Sequence, residues 1–280
     1  MVIKDLLQYG AKILAKNNIS TPQLDASILL CHVLKKNRSY LIINHTQEVS
    51  NDEEETYISL IEKRANGMPC AYITSKKEFM SLDFYVNENV LIPRPDTETL
   101  CEHVIETNVK DAPIIADICS GSGCIGISLA VYIKDARIVM ADVSDKAIEV
   151  AQINAQNQGV SERCMCETVD ILKEEMPGCF DIVVSNPPYI ETKVIDTLER
   201  DVKDYEPRLA LDGGEDGLIF YRRIAKIAID MLKSGGMLAF EVGHTQSKAV
   251  ENILKENGFT DTKIISDLSG IERVVSGIKK

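Results

Sequence analysis

The chain has 280 residues, which suits one large domain or two unequal ones, and its apolar content of 45% allows a sizeable core. No apolar run approaches the roughly 18 residues of a membrane span. The first residues lack the basic-then-apolar pattern of a signal peptide, so we expect a cytoplasmic protein without membrane contact. The net charge of −12, with lysine and arginine spread along the chain, argues against a nucleic acid as the main partner.

The cysteines and histidines show no metal-binding pattern. The chain contains eight cysteines and four histidines, all dispersed and without a C-x-x-C motif, and only Cys164 and Cys166 lie close together. We therefore predict no metal site, and we expect buried, reduced thiols that pack as small apolar residues.

Residues 1–68 are predicted to form a small helical bundle. Apolar residues recur at helical spacing between Leu6 and Leu14, and Ser20–Pro22 provides a cap followed by proline in the first turn of a second helix. Asn51–Glu55 places a cap and acidic residues at a further helix start, where the helix dipole favours negative charge. The role of this bundle is either packing support or recognition of a partner.

Residues 69–92 are predicted to form an extended linker with a hairpin, because Glu78–Val86 holds a turn between short apolar runs. The segment Leu91–Glu98 follows and is stiffened by two prolines. Asp96 or Thr97 can cap the helix that comes next.

From Pro113 onward the chain alternates strands and helices. The predicted strands are Ile114–Ile118, Arg137–Asp142, Cys164–Val169, Phe180–Ser185, Met237–Val242, Thr262–Asp267 and Arg273–Ile278. The predicted helices are Gly123–Tyr132, Asp145–Gln158, Gly217–Leu232 and Thr245–Asn257. Such alternation predicts an α/β fold, with a mostly parallel sheet and helices on both faces. Ser269-Gly270 joins the last two strands closely enough for an antiparallel hairpin.

A glycine-rich loop joins the first strand of this sheet to its helix. Gly121, Gly123 and Gly126 fit G-x-G-x-x-G, and Asp142 follows about 20 residues later at the end of the second strand. Glycines let the backbone approach a ligand, and an acidic residue at that place accepts hydrogen bonds from two ribose hydroxyls. The pattern suits a dinucleotide and S-adenosylmethionine alike, and it also fits a structural turn.

Two features favour the methyl donor S-adenosylmethionine. Asp117 places a carboxylate where a pyrophosphate would be repelled and the amino group of the donor attracted, and the motif after the fourth strand has no evident role in hydride transfer. Asp170, which ends the third strand, either accepts from the adenine amino group or is a solvated turn residue. The residues predicted to bind the donor are Asp117, Cys119, Ser120, Gly121, Ser122, Gly123, Asp142, Asp170, Ile171 and Asn186.

The motif after the fourth strand, Asn186-Pro187-Pro188-Tyr189, is the most informative part of the chain. It stands at the carboxyl end of a predicted buried strand, where open α/β sheets bind ligands. Its prolines fix two φ angles and remove two N–H donors, which leaves the Asn186 side-chain oxygen and the Pro187 carbonyl as acceptors beside the Tyr189 ring. This arrangement suits a planar guest that ends in NH2; the alternative is an ordinary proline-rich turn. We predict that Asn186, Pro187 and Tyr189 are catalytic and that Asn186, Pro187, Pro188 and Tyr189 bind the substrate.

The motif resembles the signature of methyltransferases that act on planar amides or on exocyclic base nitrogens, and further segments narrow the resemblance. They are Leu91–Glu98, Asp117–Gly123, Asp142–Asn154, Tyr205–Leu218 and Gly270–Arg273. With these segments nearly the whole chain is similar to the peptide chain release factor glutamine methyltransferases, the PrmC or HemK family. Cys119 departs from that pattern, since the family usually has glycine there, and a side chain disfavours positive φ and narrows the backbone approach. Asp96 stands where the family usually has glutamate.

The resemblance implies a class I S-adenosylmethionine-dependent methyltransferase with a Rossmann-like, mostly parallel seven-stranded sheet. Residues 93–280 would form its catalytic domain, and the N-terminal bundle would recognise the substrate. The implied reaction is methyl transfer to the side-chain amide nitrogen (N5) of the glutamine in the Gly-Gly-Gln motif of class-1 peptide chain release factors, with S-adenosylhomocysteine as product. We expect a monomer without direct contact to nucleic acid.

Other interpretations stay open from the sequence. They are an adenine N6-methyltransferase acting on nucleic acid, a non-catalytic methyltransferase-like scaffold, and a dinucleotide-dependent oxidoreductase. The acidic charge weighs against the first, and an intact glycine loop with Asp142 and Asn186 weighs against the second. Four charged residues either line the glutamine pocket or form structural ion pairs, and we favour the structural role; they are Arg94, Glu98, Glu206 and Arg208.

Overall fold

The computed structural model of the protein describes all 280 residues. The α-helices, in chain order, are α1 (Ile3–Lys16), α2 (Pro22–Leu34), α3 (Arg38–Ile43), α4 (Asn51–Ala65), α5 (Cys70–Thr74), α6 (Glu98–Thr107), α7 (Cys124–Tyr132), α8 (Asp145–Asn157), α9 (Arg200–Lys203), α10 (Ile219–Met231) and α11 (Ser247–Glu256). The β-strands are β1 (Lys77–Phe79), β2 (Leu82–Phe84), β3 (Ile114–Ile118), β4 (Arg137–Asp142), β5 (Cys164–Thr168), β6 (Phe180–Ser185), β7 (Leu232–Glu241), β8 (Phe259–Ser266) and β9 (Glu272–Lys279). None of the helices combines the length and the apolar content that a membrane crossing requires.

The chain divides into two compact units. The first contains Met1–Lys76 together with Glu199–Tyr205, and the second contains Lys77–Leu198 together with Glu206–Lys280. The two compact units divide between Lys76 and Lys77. The boundaries that the sequence suggests, at residue 68 between bundle and linker and at residue 92 between linker and catalytic domain, stay predictions.

The first unit is a helical bundle with its own apolar core, in which Leu6 and Tyr57 are fully buried. Helix α4 begins with a capping box: the Ser50 side chain accepts the Glu53 N–H, and the Glu53 carboxylate accepts the Ser50 N–H. Ser50 is therefore the cap of this helix, and Asn51, which the sequence analysis took as the cap, is its first helical residue.

The second unit is built around a seven-stranded sheet with the strand order β5-β4-β3-β6-β7-β9-β8. Neighbouring strands from β5 to β7 run parallel, and β9 pairs antiparallel with both β7 and β8. This topology confirms the predicted mostly parallel sheet and its closing antiparallel hairpin.

Helices cover both faces of the sheet. Side chains alternate between the two faces along each strand, and consecutive apolar residues therefore give each face an apolar surface for helices to cover. Ile115 of β3 packs in a core with α6, α7 and α8, and the next residue, Ala116, packs in a second core with α10 and α11. Strands that are buried on both faces read as continuous apolar runs in the sequence, which explains why β3 and β6 were easy to predict.

The strand order opens a crevice at the carboxyl ends of β3 and β6. From β3 the chain proceeds through β4 to β5 at one edge of the sheet, and it then returns to place β6 on the other side of β3. The loops after β3 and β6 therefore diverge, and ligands of open α/β sheets bind at such a point.

The hairpin β1–β2 has a two-residue turn, Met80-Ser81, with φ of 50° and 58°. Positive φ at both central residues is the geometry whose twist matches the flanking strands. The Glu98 carboxylate accepts the Met80 N–H at 2.7 Å and so ties the turn to the start of α6. This contact gives Glu98 a structural partner.

Strand β7 begins earlier than predicted. The sequence analysis placed its start at Met237 and continued the preceding helix to Leu232, but the helix ends at Met231 and Leu232 already pairs with Phe180 of β6. Gly235-Gly236 reads locally as a loop, whereas in the sheet the strand passes through it. Pairing with β6 therefore overrides the local signal.

Candidate active site

A cavity of about 230 Å³ opens at the carboxyl ends of β3, β4 and β6 in the second unit. The predicted site residues that line it are Cys119, Ser120, Gly121, Ser122, Asp142, Asp170, Ile171, Asn186 and Pro188. Four predicted residues do not form part of its wall: Asp117, Gly123, Pro187 and Tyr189. The predicted donor loop and the predicted substrate motif thus border one cavity.

The loop after β3 turns sharply, and three of its residues have left-handed backbone: Cys119 with φ of 60°, Gly121 with 52° and Gly123 with 76°. Glycine adopts such angles freely, whereas an L side chain at Cys119 costs roughly 1–2 kcal/mol. Hydrogen bonds from Ser120 N to Ala141 O (3.1 Å) and from Gly123 N to Ser120 O (2.8 Å) hold the turn. Cys119 is therefore a strained residue in the wall of the cavity.

Asp142 ends β4 beside this loop and accepts two backbone hydrogen bonds. Its Oδ2 accepts Gly121 N at 2.8 Å and its Oδ1 accepts Ser144 N at 3.0 Å. Burial raises the pKa of Asp142, and these N–H groups oppose the shift. Each carboxylate oxygen retains a second lone pair, so Asp142 can still accept hydroxyl groups of a ligand.

Two buried polar atoms at the site, Asp117 Oδ1 and Ser120 Oγ, have no hydrogen-bond partner. The other oxygen of Asp117 accepts Gly126 N at 2.8 Å behind the cavity wall. Burial raises the pKa of Asp117 to about 7; the Gly126 N–H opposes this shift and the charge of Asp142 adds to it. Because buried polar atoms are nearly always paired, these two atoms mark places that polar groups of a ligand would satisfy.

Asp170 lines the cavity but is already engaged. Its Oδ2 lies 2.7 Å from Lys173 Nζ, and its Oδ1 accepts Leu172 N at 3.1 Å. The hydrogen bond from Lys173 is the main cause of a lowered pKa at Asp170. These contacts support the turn role of Asp170, whereas a contact to adenine stays a prediction. The adjacent Ile171 is buried and offers apolar surface to the cavity.

The Asn186 side chain lines the cavity and is held by a residue from another element: its Nδ2 donates to Thr97 Oγ1 at 3.3 Å. Pro188 also faces the cavity, whereas Pro187 and Tyr189 lie outside its wall. Burial raises the pKa of the Tyr189 phenol to about 12, so this ring is neutral at physiological pH.

The backbone at the end of the motif is held by a glutamine side chain and by the backbone of a glycine. Gln246 Nε2 donates to Tyr189 O at 3.0 Å, and Gly213 N donates to Ile190 O at 2.8 Å. A Cβ atom at Gly213 would come within 2.7 Å of Tyr189 Cα, so no side chain fits there. This contact gives the physical reason for a glycine at position 213.

Asn154 fixes the glycine loop from behind, a role that the sequence analysis missed. Its Oδ1 accepts Tyr85 N at 2.7 Å, and its Nδ2 donates to Tyr85 O and Ser122 O, both at 2.9 Å. The side chain is fully buried. The available signal was a polar residue on the apolar face of a predicted helix, at helical spacing from Ala147 and Ala151.

The charged residues of the family segments have partners within the second unit. Arg94 Nη2 lies 2.7 Å from both carboxylate oxygens of Glu206, which is buried, and Glu98 holds the hairpin turn. Arg208 lies 3.7 Å from Asp212. These contacts favour the structural role, although the Arg94 side chain also lines the cavity.

Comparison with known proteins assigns the chain to a family. The sequence profile of the PrmC N-terminal domain matches residues 5–74, and that of the methyltransferase small domain matches residues 95–215. The release factor glutamine methyltransferase of Clostridium acetobutylicum is 44% identical over 100% of this chain and 99% of its own length. That of Clostridium botulinum is 42% identical over 100% of both chains. The chain belongs to the release factor glutamine methyltransferase family.

The fold of this methyltransferase recurs in solved structures. A methyltransferase from Pyrococcus furiosus has a TM-score of 0.54 at 18% identity, covering 72% of this chain and 91% of its own. The ribosomal protein L11 methylase from Lactobacillus delbrueckii subsp. bulgaricus has a TM-score of 0.51 at 19% identity, covering 70% and 84%. At these identities the likeness concerns the fold alone, and it confirms the predicted class I methyltransferase fold.

Proposed function

We propose that this methyltransferase transfers a methyl group from S-adenosylmethionine to the N5 nitrogen of a glutamine side chain, in the Gly-Gly-Gln motif of class-1 peptide chain release factors. The observation that carries the proposal is the single cavity bordered by the glycine loop, Asp142 and Asn186. The full-length relatives bear the name of this activity.

The residues around the cavity fit this donor. Asp142 keeps lone pairs for two ribose hydroxyls, the buried Ser120 Oγ lacks a partner, and Ile171 offers apolar surface to a flat base. Asp117 Oδ1 is the acceptor that would pair with a cationic amino group. When bound, S-adenosylmethionine supplies an electrophilic methyl group.

The contribution of the chain to the reaction is positioning and electrostatic stabilisation. An amide nitrogen is a poor nucleophile because its lone pair is delocalised into the carbonyl group. Asn186 Oδ1 and the Pro187 carbonyl each accept one N–H of the glutamine amide, which aims the nitrogen and stabilises the positive charge that develops on it. Tyr189 lies outside the cavity wall, and its proposed packing on the planar amide applies to the complex with the substrate. The Cys119 thiol is not a base for this step, because burial raises its pKa well above the usual value.

The same acceptors select glutamine over glutamate. A glutamate side chain has no N–H to offer, so neither acceptor would receive a hydrogen bond from it. Sites built to hydrogen-bond a substrate group reject analogues that lack it by a factor on the order of 10⁴. We expect discrimination of that size between a Gly-Gly-Gln substrate and its glutamate variant.

The decisive experiment is methyl transfer from labelled S-adenosylmethionine to three acceptors in parallel: a purified class-1 release factor, its Gln→Ala variant in the Gly-Gly-Gln motif, and duplex DNA. Label on the unmodified release factor alone is the expected result. Label on DNA would instead favour an adenine N6-methyltransferase, and donor binding without label on any acceptor would favour a non-catalytic scaffold.

We further propose that the first unit recognises the release factor as a folded protein, and that the enzyme acts as a monomer without direct contact to nucleic acid. Recognition beyond the glutamine loop predicts a higher kcat/KM for the intact release factor than for a short peptide that contains Gly-Gly-Gln. Equal values for the two substrates would assign the bundle to packing support.

A further inference from the structure

Thr97 lies at the N-terminus of α6, next to the Asn186 side chain. It directly precedes α6, where a threonine hydroxyl commonly caps the helix, yet its side chain makes no capping hydrogen bond. Its Oγ1 accepts the Asn186 Nδ2 instead, at 3.3 Å. The residue is only 2% exposed, although it belongs to the wall of the cavity.

Glu241 is the neighbour of this pair. It is the last residue of β7, and because Ser185 pairs with Phe240, Asn186 and Glu241 stand side by side just beyond that pair. Glu241 is 2% exposed, and its Oε2 has no hydrogen-bond partner. A buried carboxylate that is incompletely paired, beside the substrate motif, requires an explanation.

The surroundings of Glu241 allow it to ionise. Burial raises its pKa to about 7 and the charge of Asp96 adds to the shift, whereas hydrogen bonding from Thr97 and Asn186 and the charge of Arg273 favour the ionised form. In mildly alkaline solution the group is therefore a carboxylate, which can only accept hydrogen bonds.

Because the Glu241 carboxylate can only accept, it determines which atoms donate in the series of hydrogen bonds from Asn186 through Thr97 to Glu241. The Thr97 hydroxyl has one proton, and when that proton is donated to Glu241 the oxygen is left to accept from Asn186 Nδ2. The carboxamide then presents its Oδ1 to the cavity. If the Asn186 carboxamide were rotated by 180°, its NH2 would face the NH2 of the substrate amide. Both groups are donors, so no hydrogen bond could form between them.

We propose that Thr97 and Glu241 are positioning residues that hold the Asn186 carboxamide with its oxygen toward the substrate amide. The inference rests on the proposed function, because it specifies how the same cavity selects a planar group that ends in NH2. Both residues act through Asn186, so their loss should affect turnover and leave donor affinity unchanged.

The kinetic test uses the full-length protein at about pH 8.5, where an acid with a pKa of about 7 is ionised. Thr97→Val keeps the shape and removes the hydroxyl, Thr97→Ser keeps the hydroxyl, and Glu241→Gln introduces a group that can also donate. Thr262→Val is the matched control, because Thr262 Oγ1 donates to the Glu251 carboxylate at 2.9 Å without lining the cavity.

We expect kcat with a release factor to fall about tenfold or more in Thr97→Val and in Glu241→Gln. Thr97→Ser should recover kcat to within about threefold of the wild type, and Thr262→Val should not change it. The donor Kd, from equilibrium dialysis, should stay within about twofold in all four variants, and thermal unfolding checks that each is folded. A kcat within about twofold of wild type in Thr97→Val would refute the proposal.

A second measurement does not depend on turnover. The Asn186 side-chain amide, identified in nitrogen-15 spectra by its absence in Asn186→Asp, should shift and exchange faster with solvent in Thr97→Val but not in Thr262→Val. An unchanged Asn186 resonance in Thr97→Val would overturn the positioning role. If the resonance responds as expected while the wild type labels no release factor, the orientation stands and the proposed function is wrong.

Discussion

Three carboxylates lie at the carboxyl ends of strands, the buried ones of Asp117 and Glu241 and the partly buried one of Asp142, and burial raises the pKa of each. For Asp117 and Glu241 the pKa reaches about 7, against about 4 in an unfolded chain. The folded state then holds protons that the unfolded state has already released, so these two groups lower the free energy of unfolding as pH rises from about 4 to about 7. These two carboxylates of the site therefore destabilise the folded protein at neutral pH. A cationic ligand group beside Asp117 would offset part of that destabilisation.

At the residue scale, replacing Asn186 should separate chemistry from donor binding. Asn186→Ala removes the oxygen that is proposed to accept the substrate N–H, and we expect kcat to fall by about a hundredfold or more while the donor Kd changes little. Single-turnover transfer and equilibrium dialysis measure the two quantities. Turnover near that of the wild type would show that Asn186 does not position the amide.

Asp142→Ala should have the opposite effect. Its carboxylate is proposed to accept the ribose hydroxyls, so we expect the donor Kd to rise on the order of tenfold to a hundredfold. Because Asp142 also holds the Gly121 and Ser144 N–H groups, Asp142→Asn, which keeps one acceptor oxygen, should weaken binding less. An unchanged Kd in a folded Asp142→Ala variant would refute the ribose contact.

At the scale of elements, the strand that carries the substrate motif is anchored at its start by Asp181. Its Oδ2 accepts the Ile114 N–H of β3 at 2.9 Å and lies 2.8 Å from Lys233 Nζ, and its Oδ1 lies 2.7 Å from Lys110 Nζ. One buried carboxylate therefore joins the starts of β6, β3 and β7, and Asn186 follows the opposite end of β6.

Asp181→Asn should destabilise the second unit in a pH-dependent way. Burial opposes ionisation of Asp181, but the Ile114 N–H and the two lysines outweigh it and hold its pKa at about 2. The stability from this depressed pKa is present above the unfolded value of about 4 and is lost as pH falls through about 2. We expect a loss on the order of 2 kcal/mol at neutral pH.

Urea unfolding of Asp181→Asn and of wild type between about pH 7 and pH 2 tests this expectation. The difference between the two proteins should shrink as the pH falls below about 4. The exposed Asp111 provides the control, since Asp111→Asn should change the free energy of unfolding little at any pH. A difference that stays constant over the range would mean that shape, and not charge, is responsible.

At the scale of the whole molecule, the thiols should differ sharply in reactivity. All eight cysteines are free. Cys101 and Cys124 are buried as expected, five others are partly buried, and the expectation of burial is wrong for Cys179, which is exposed. Burial raises the pKa of the others, which are Cys31, Cys70, Cys101, Cys119, Cys124, Cys164 and Cys166. Brief alkylation of the native protein should therefore modify Cys179 alone.

Peptide mass spectrometry after brief alkylation reads out this pattern, and Cys179→Ser should leave the native protein almost unlabelled. Denaturant should expose every cysteine to the reagent. Rapid native labelling of Cys119 would show that the cavity wall opens readily and would contradict the expected protection.

The charge of the whole molecule predicts its state of assembly. A net charge of −12 opposes self-association, because like molecules repel one another at low ionic strength. Light scattering should therefore give a mass near 31.1 kDa for the protein alone. A mass near twice that value, unchanged on dilution, would contradict the monomer.

The amino-acid sequence by itself determined the fold class and most of the site, because the decisive signals are local. Strands buried on both faces read as apolar runs, and glycines and prolines fix backbone geometry where they stand. For this reason Gly121, Asp142 and Asn186 could be placed at one edge of the sheet from their positions at strand ends, and the structure brings all three to the same cavity.

Only the tertiary structure decided which side chains support those residues, because their partners lie far apart in the chain. Thr97 and Asn186 are separated by 89 positions, and Asn154 and Tyr85 by 69. Spacing along the chain also does not determine which neighbouring group the side chain of a buried strand residue contacts. Asp117 is the example: its Oδ2 accepts the Gly126 N–H at the start of α7, whereas its Oδ1 has no partner and stays the predicted acceptor for the donor.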